Sequence, residues 1–340
     1  MKKFNCLILI DDSVFLQHII GLIVIFCDKG VKPSLLIDNS VNKELVAYQL
    51  IIAMHKNNEI EIVSLKKEDY LKTILTFDYI FTQWGPPKSI CRFFSQVKRN
   101  KLLHSITLSG GRIFSFPHGF EIKDMGLTIS WKARLRSLVC DLSFNPFKDY
   151  NRYYDRYFFE TKFHRVRYRR YMNETFSGVI GFPTFNPYSL NEIKNRLIKY
   201  GIKPKPALGK ILIMPKFKHI GAKRIEILND VDYVIPHPRE YGLQYDFLKE
   251  KFPQINILKS LDFFSLGDCT HIIDFGTSVS ILGKLFGAKV TYINMLSREP
   301  FFSESDFRAM TKSDFFSCGH NSYESYATYV LSEIMANNHE

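Results

Sequence analysis

Short apolar runs rich in β-branched residues recur through the first half of the chain, spaced too widely for hairpins. NCLILI (5–10), PSLLID (33–38), EIEIV (59–63), FDYIFTQ (77–83) and RIFSF (112–116) read as strands. Helical patterns such as Lys43 to Lys56 separate them, and this alternation predicts a parallel sheet with helices on both faces. A polar helix around Leu190 to Tyr200 leads into GIKPKPALGK (201–210), whose glycines and prolines read as a linker. A second alternating series follows at once: KILIMP (210–215), DYVIPHP (232–238), INIL (255–258), THIID (270–274) and KVTYIN (289–294). The tail from Tyr323 to Met335 has apolar residues at helical spacing and is placed to cross back over the first half.

The expected organisation is therefore α/β, with two Rossmann-like domains. The first covers residues 1–200 and the second 201–322, with a C-terminal helix in 323–340. A length of 340 residues agrees, since one core ordinarily serves about 100 to 200. The longest apolar run, Ile19 to Cys27, is well short of the roughly 18 to 20 residues that cross a bilayer and reads as a buried helix. The start MKKFNCLILIDDS imitates a leader, but Asp11 and Asp12 interrupt it before an adequate apolar region forms, so a cytoplasmic chain is expected. Cys6, Cys27, Cys91, Cys140, Cys269 and Cys318 show no ligand-like spacing; reduced thiols and no structural metal are expected. Cys318 and His320 are the nearest approach to a metal pair.

Charge adds a partner class. The net charge is +12, and NRYYDRYFFETKFHRVRYRR (151–170) concentrates Arg152, Arg156, Lys162, Arg165, Arg167, Arg169 and Arg170. Such a stripe attracts polyanions: nucleic acid, anionic lipid headgroups, or a phosphate-bearing glycan or lipid-linked acceptor. The alternative is a solvated helix face with its aromatic residues turned inward. No helix-turn-helix, zinc-finger or RNA-binding signature is present, so nucleic acid is not the expected partner.

Ligands of open α/β sheets sit beyond the carboxyl ends of the strands. Polar residues gather at four such ends: Gln83 to Pro87, His118 to Asp124, His237 to Glu240, and Asp274 to Ser280. In DFGTSVS (274–280) a strand ends at Asp274, Gly276 frees a tight turn, and Thr277, Ser278 and Ser280 open a helix whose free amides suit phosphate. Ordinary N-capping explains the same hydroxyls. In IPHPRE (235–240), His237 and Arg239 are phosphate donors and Glu240 is a ribose acceptor; a backbone-satisfied histidine and a surface Arg239–Glu240 pair are the plain alternatives. In FPHGFEIKDMG (116–126), His118 is a candidate base for an attacking hydroxyl, with Glu121 or Asp124 orienting it or acting as base; a loop histidine capping the next helix competes.

The order of these motifs resembles the CDP-glycerol glycerophosphotransferases and related capsule and teichoic-acid transferases of GT-B fold. That family's histidine-glycine, lysine and glycine match His118, Gly119, Lys123 and Gly126. Its glycine-aromatic-proline matches Gly181 to Pro183, its proline-ended strand matches ILIMPKF (211–217), and its histidine-proline-arginine matches His237, Pro238 and Arg239. Its aspartate-aromatic-serine-serine resembles Asp274, Phe275, Thr277 and Ser278. The match runs in order over about residues 112 to 295. Pro117, Phe120, Glu121, Thr184 and Gly276 depart from the pattern, around the acceptor and donor positions. The histidine-proline and serine/threonine motifs are also similar to bacterial transferases that use CMP-sialic acid or CMP-Kdo.

What the resemblance implies is a metal-independent GT-B enzyme, two Rossmann-like domains facing across a cleft, the first binding the acceptor and the second the nucleotide. A sugar transferred from a CMP-, CDP- or UDP-linked donor to a surface polysaccharide or lipid-linked acceptor is the expectation. Catalysis then falls to His118, Glu121 and Asp124. Donor contacts fall to His237, Arg239, Glu240, Asp274, Gly276, Thr277, Ser278 and Ser280, and acceptor or membrane contacts to Arg165, Arg167, Arg169 and Arg170. No cofactor is expected, and the enzyme would work at the inner face of the plasma membrane. A CDP-polyol transferase, a UDP-sugar 2-epimerase and a non-catalytic nucleic-acid binder are the rival readings.

Overall fold

A computed structural model describes residues 4–64, 70–84, 97–116, 153–159, 177–181, 183–203, 209–214, 222–237, 241–266, 270–274, 287–292 and 319–336. Seven strands, β1 (Cys6–Ile10), β2 (Ser34–Ile37), β3 (Glu61–Ile62), β4 (Tyr79–Thr82), β5 (Arg112–Ser115), β6 (Arg156–Phe159) and β7 (Ser177–Val179), form one sheet. Their order is β3-β2-β1-β4-β5-β6-β7, with every neighbouring pair parallel. A parallel sheet covered on both faces needs strands apolar on both faces, and CLILI of β1 is buried at all five positions.

Helix α1 (Ser13–Asp28) covers one face. Asp12 caps it, its Oδ1 accepting from the Phe15 N–H at 2.7 Å. On this face Phe26 meets Phe81, and a row of rings continues through Phe114 and Phe158 at centroid spacings of 5.1 and 5.9 Å. On the opposite face Leu7, Leu9, Ile80, Ile113, Tyr157 and Phe159 form a core with Leu103 and Ile106. The last two belong to a helix spanning Val97–Leu108. Helices α2 (Val46–Lys56) and α3 (Tyr70–Ile74) precede that helix, which is α4; α5 (Pro187–Lys199) follows β7. Among the described residues no helix is long and apolar enough to cross a membrane.

A second sheet holds β8 (Gly209–Ile213), β9 (Tyr233–Ile235), β10 (Asn256–Ile257), β11 (Thr270–Asp274) and β12 (Lys289–Tyr292), all parallel, in the order β10-β9-β8-β11-β12. Its core joins Leu212, Met214, Val234 and Ile273 to Leu248 of α6 (Tyr241–Lys251). Gly209 opens the sheet with φ +107, and the Asp232 carboxylate lies 2.2 Å from where a Cβ would stand, so this entry is confined to glycine. The described residues fall into two compact units: 4–201 with 319–336, and 202–292. The architecture is α/β, with two parallel sheets and helices between the strands.

All ten strands read from the hydrophobic pattern are present, each within a few residues of the expected bounds. The reading of residues 151–170 as a helix face is corrected for its first part. Residues 156–159 form β6, an interior strand whose Tyr157, Phe158 and Phe159 are buried. Charge counting obscures RYFF, but aromatic residues fit a pleated surface well, and Phe158 packs on Phe114 of β5 and on Phe116 just beyond it. Arg156 is therefore not part of an exposed stripe. Its Nη2 pairs with Glu333 at 2.7 Å and its Nη1 donates to the Glu333 carbonyl at 3.0 Å.

Glu333 belongs to helix α7 (Tyr323–Met335). That helix lies along β7: the Tyr326 hydroxyl donates to the Ile180 carbonyl at 2.6 Å and the Tyr329 hydroxyl to the Val179 carbonyl at 2.7 Å. Tyr323 bonds to Asp28, and Lys29 pairs with Glu324. These contacts place the C-terminal helix in the first unit.

Candidate functional site

Each sheet has one place where the chain reverses its direction of travel, and there the loops leaving two adjacent strands diverge and open a crevice. In the first unit the chain runs from β1 outward to β2 and β3, then returns to the other side of β1 as β4. The residues that leave β1 and β4 are Asp11-Asp12 and Gln83-Trp84.

They bond to one another. The Gln83 amide donates to Asp11 Oδ1 and, at 2.9 Å, to Asp12 Oδ2; the Trp84 indole N–H donates to Asp11 Oδ2 at 2.8 Å. Burial pushes the Asp11 carboxyl above its ordinary range and the Asp12 charge adds to this, while the hydrogen bonds from Trp84 and Gln83 oppose it. Arg99 of α4 lies over the Trp84 ring, 4.6 Å from its centroid. Desolvation draws its pKa down, and the charges of Tyr154 and Asp11 draw it up. Trp84 is held from below by β4 and β5: its N–H donates to Thr82 Oγ1 at 3.2 Å, and the Ser115 hydroxyl donates to its carbonyl.

In the second unit the reversal falls between β8 and β11. Asp274 aligns with Ile213, and Ile213 with Ile235, so the ends of β11, β8 and β9 lie level. His237, two residues past β9, thus emerges from the same sheet edge as Asp274. The His237 N–H donates to the Gln244 side-chain oxygen at 2.7 Å; Gln244, on α6, is wholly buried. Asp274 is also wholly buried. The His237 side chain is half-buried.

Of the residues singled out from sequence, His237 and Asp274 are brought to one sheet edge. His118, Glu121, Asp124, Arg239, Glu240, Gly276, Thr277, Ser278, Ser280, Arg165, Arg167, Arg169 and Arg170 lie outside the described residues. Phe116, whose N–H donates to the Thr82 carbonyl at 2.7 Å, is the last described residue before His118. Trp84 lies in the Gln83–Pro87 strand end that the sequence singles out, whereas Asp11 and Asp12 are functional candidates that no motif reveals. A signal for them is present, since the aspartates follow a strand as His237 does. Gln244 carried no local signal. Among the described residues no three His, Cys, Asp or Glu side chains group as a metal site.

Fold and sheet edges together define an α/β protein with two Rossmann-like units. No family profile matches the chain, and no curated protein is significantly similar to it in sequence. Solved structures do resemble it. A UDP co-structure of MnaA from S. aureus has a TM-score of 0.47 at 10% identity, covering 97% of this chain and 96% of that one. The wall teichoic acid polymerase TagF, soaked with CDPG as an H444N variant, has a TM-score of 0.47 at 11% identity, covering 98% and 88%. A UDP-GlcNAc 2-epimerase of Neisseria meningitidis bound to UDP-GlcNAc has a TM-score of 0.41 at 10% identity, covering 96% and 98%.

Proposed function

We propose that this chain is a metal-independent glycosyltransferase of GT-B architecture, working in the cytoplasm at the membrane surface. It transfers a sugar from a CMP-, CDP- or UDP-linked donor to a bacterial surface polysaccharide or lipid-linked acceptor. The supporting observation is the register of the second sheet, which levels the ends of β9, β8 and β11 and so brings His237 and Asp274 to one edge. Each begins a motif suited to phosphate in the sequence, 37 residues apart from His237 to Asp274, and nucleotides bind at such strand ends in open α/β sheets.

In this reading His118 takes the proton of an acceptor hydroxyl, with Glu121 and Asp124 orienting it. The freed oxygen attacks the anomeric carbon. The bond from that carbon to the donor phosphate breaks, and its electron pair leaves on phosphate. His237, Arg239, Thr277, Ser278 and Ser280 stabilise that charge as fixed donors, with Gly276 allowing the backbone to approach. Glu240 holds the ribose, and buried Asp274 fixes the turn. Arg165, Arg167, Arg169 and Arg170 recruit the anionic membrane or acceptor.

Thermal-shift titration of the full chain with CMP, CDP, UDP and GDP tests the donor site. A nucleotide that binds only the native state stabilises it by about 2.7 kcal/mol at a hundredfold excess over its Kd. No shift with any of the four at saturation would sink the proposal. Product mass with each activated donor then separates sugar transfer from polyol-phosphate transfer. Loss of a UDP-sugar without any acceptor would mark the 2-epimerase reading instead.

A further inference from the structure

The layer formed by α3 and α4 carries an outer surface that the packing of the first sheet does not require. Ile74 of α3 and Leu103 and Ile106 of α4 belong to one core, so the two helices cover the same face of that sheet. Lys98, Lys101 and Leu108 are exposed on α4; spacings of three and seven residues set them along one stripe of the helix. Leu108 is 75% exposed, and on α3 Leu71 is 43% exposed beside the exposed Lys72. A scattered surface leucine needs no explanation, but here two stand on one layer among lysines.

Charge says what such a surface meets. From Tyr79 to Phe120 the sequence holds six lysines and arginines and neither aspartate nor glutamate. Arg99 and Arg112 are engaged within the fold, the first over Trp84 and the second with Asp155. Lys72, Lys98 and Lys101 are not: among the described residues no carboxylate pairs with any of them. A second observation concerns the hydroxyls around the C-terminal half of α4. Those of Ser105, Thr107 and Ser109 donate to the carbonyls of Lys101, Leu103 and Ile106 at 3.0, 3.0 and 2.7 Å. With these donors satisfied inside the helix, its surface can meet an apolar layer without stranding them.

Nucleic acid would satisfy the lysines but offers little to Leu71 and Leu108. An anionic bilayer takes both: headgroup phosphates accept from the ammonium groups, the leucines enter the acyl boundary, and the long lysine stems reach back to the headgroups.

We infer that the outer face of α3 and α4 docks on the surface of an anionic bilayer. The inference deepens the membrane role in the transferase reading, adding apolar anchors to the charge of Arg165, Arg167, Arg169 and Arg170. Arg99, in the first turn of α4, lies over Trp84, so the docked layer adjoins the exits of β1 and β4 and brings them near a lipid-linked acceptor.

Sedimentation of the full chain with vesicles of phosphatidylglycerol and phosphatidylcholine, and of phosphatidylcholine alone, tests this. Each lysine near an anionic surface strengthens binding roughly fivefold, so Lys98→Gln with Lys101→Gln should weaken binding to the anionic vesicles about twentyfold. Lys98→Arg with Lys101→Arg should leave it intact. Leu108→Ser should weaken it severalfold, and that loss should persist at high salt, where charge is screened. All three side chains are exposed, so circular dichroism and melting should not change. Lys43→Gln with Lys194→Gln removes the same charge from exposed sites elsewhere on the first unit and should leave binding near the parent level. A parent chain that sediments with neither vesicle overturns the inference. So does equal sensitivity to the two glutamine pairs, or indifference to Leu108→Ser. RNA binding lost with Lys98 and Lys101 while vesicle binding survives overturns it as well. The nucleotide thermal shift, read on the same variants, should not move; its absence in the parent chain sinks the donor reading separately and leaves the docking surface standing.

Discussion

The Thr184 hydroxyl is stitched into helix α1 beside Gly21: it donates to the His18 carbonyl at 2.6 Å and accepts from the Gly21 N–H at 2.9 Å. The two backbones approach so closely that a Cβ on Gly21 would stand 2.0 Å from the Pro183 carbonyl oxygen. Gly21→Ala should therefore destabilise the protein by about 2 kcal/mol or more, since backbone cannot yield as a side chain can. Thr184→Val should cost about 1 to 3 kcal/mol by leaving buried polar groups unpaired. Urea denaturation of each variant measures both.

Glu59 anchors a charged cluster on the first unit. It takes hydrogen bonds from Arg196 and Tyr200 and, at 3.2 Å, from Lys199, while Arg196 also pairs with Asp28. Burial pushes the Glu59 carboxyl up, but Tyr200, the Arg196 charge and Lys199 together hold it below its usual value. A depressed acid contributes stability above its unfolded pKa that is lost as pH falls through the folded one. Stability should thus decline in the acid range, and Glu59→Gln should flatten that decline in denaturation curves taken from neutral pH downward. Arg196→Met should cost about 1 to 2 kcal/mol at neutral pH and less in acid.

Arg156 serves the C-terminal helix and not a membrane. Arg156→Met should speed hydrogen exchange over α7 and cost about 1 to 3 kcal/mol, because it strips a charged partner from Glu333. The same substitution should leave sedimentation with anionic vesicles unchanged. Replacing Arg165, Arg167, Arg169 and Arg170 together by alanine should abolish that sedimentation at low salt. Vesicle binding that ignores both salt and the fourfold change would remove the membrane role.

At the edge of the second sheet, Gln244→Leu should cost about 1 to 2 kcal/mol, since the His237 N–H loses its acceptor. It should also blunt the nucleotide-induced thermal shift by loosening the His237 loop. His237→Ala should blunt that shift with little loss of basal stability, because the side chain is only half-buried. Parallel thermal melts with and without nucleotide separate these outcomes.

Ten of the twelve described strands were legible as short β-rich segments, and the central β1 reads as a continuous apolar run, the mark of a strand covered on both faces. β6 and β7 were not. RYFF carries an arginine whose pairing partner, Glu333, lies 177 residues away, and SGV has a glycine where the side chains of Glu333, Phe158 and Arg156 crowd the position of a Cβ. Of the candidate site, His237 and Asp274 could be found from strand ends and motif order. The Asp11–Trp84 pairing could not, since it joins residues 73 apart through side chains whose direction depends on the switch between β1 and β4.

Local periodicity and turn chemistry were thus enough to determine the α/β class, the two series of strands and the helical tail, because each is encoded within a few turns of chain. Which strands adjoin, which arginine is spent on an internal ion pair, and which aspartate meets an indole were decided by the assembled sheets. Those contacts depend on strand order and register, and these emerge only when distant apolar faces pack together.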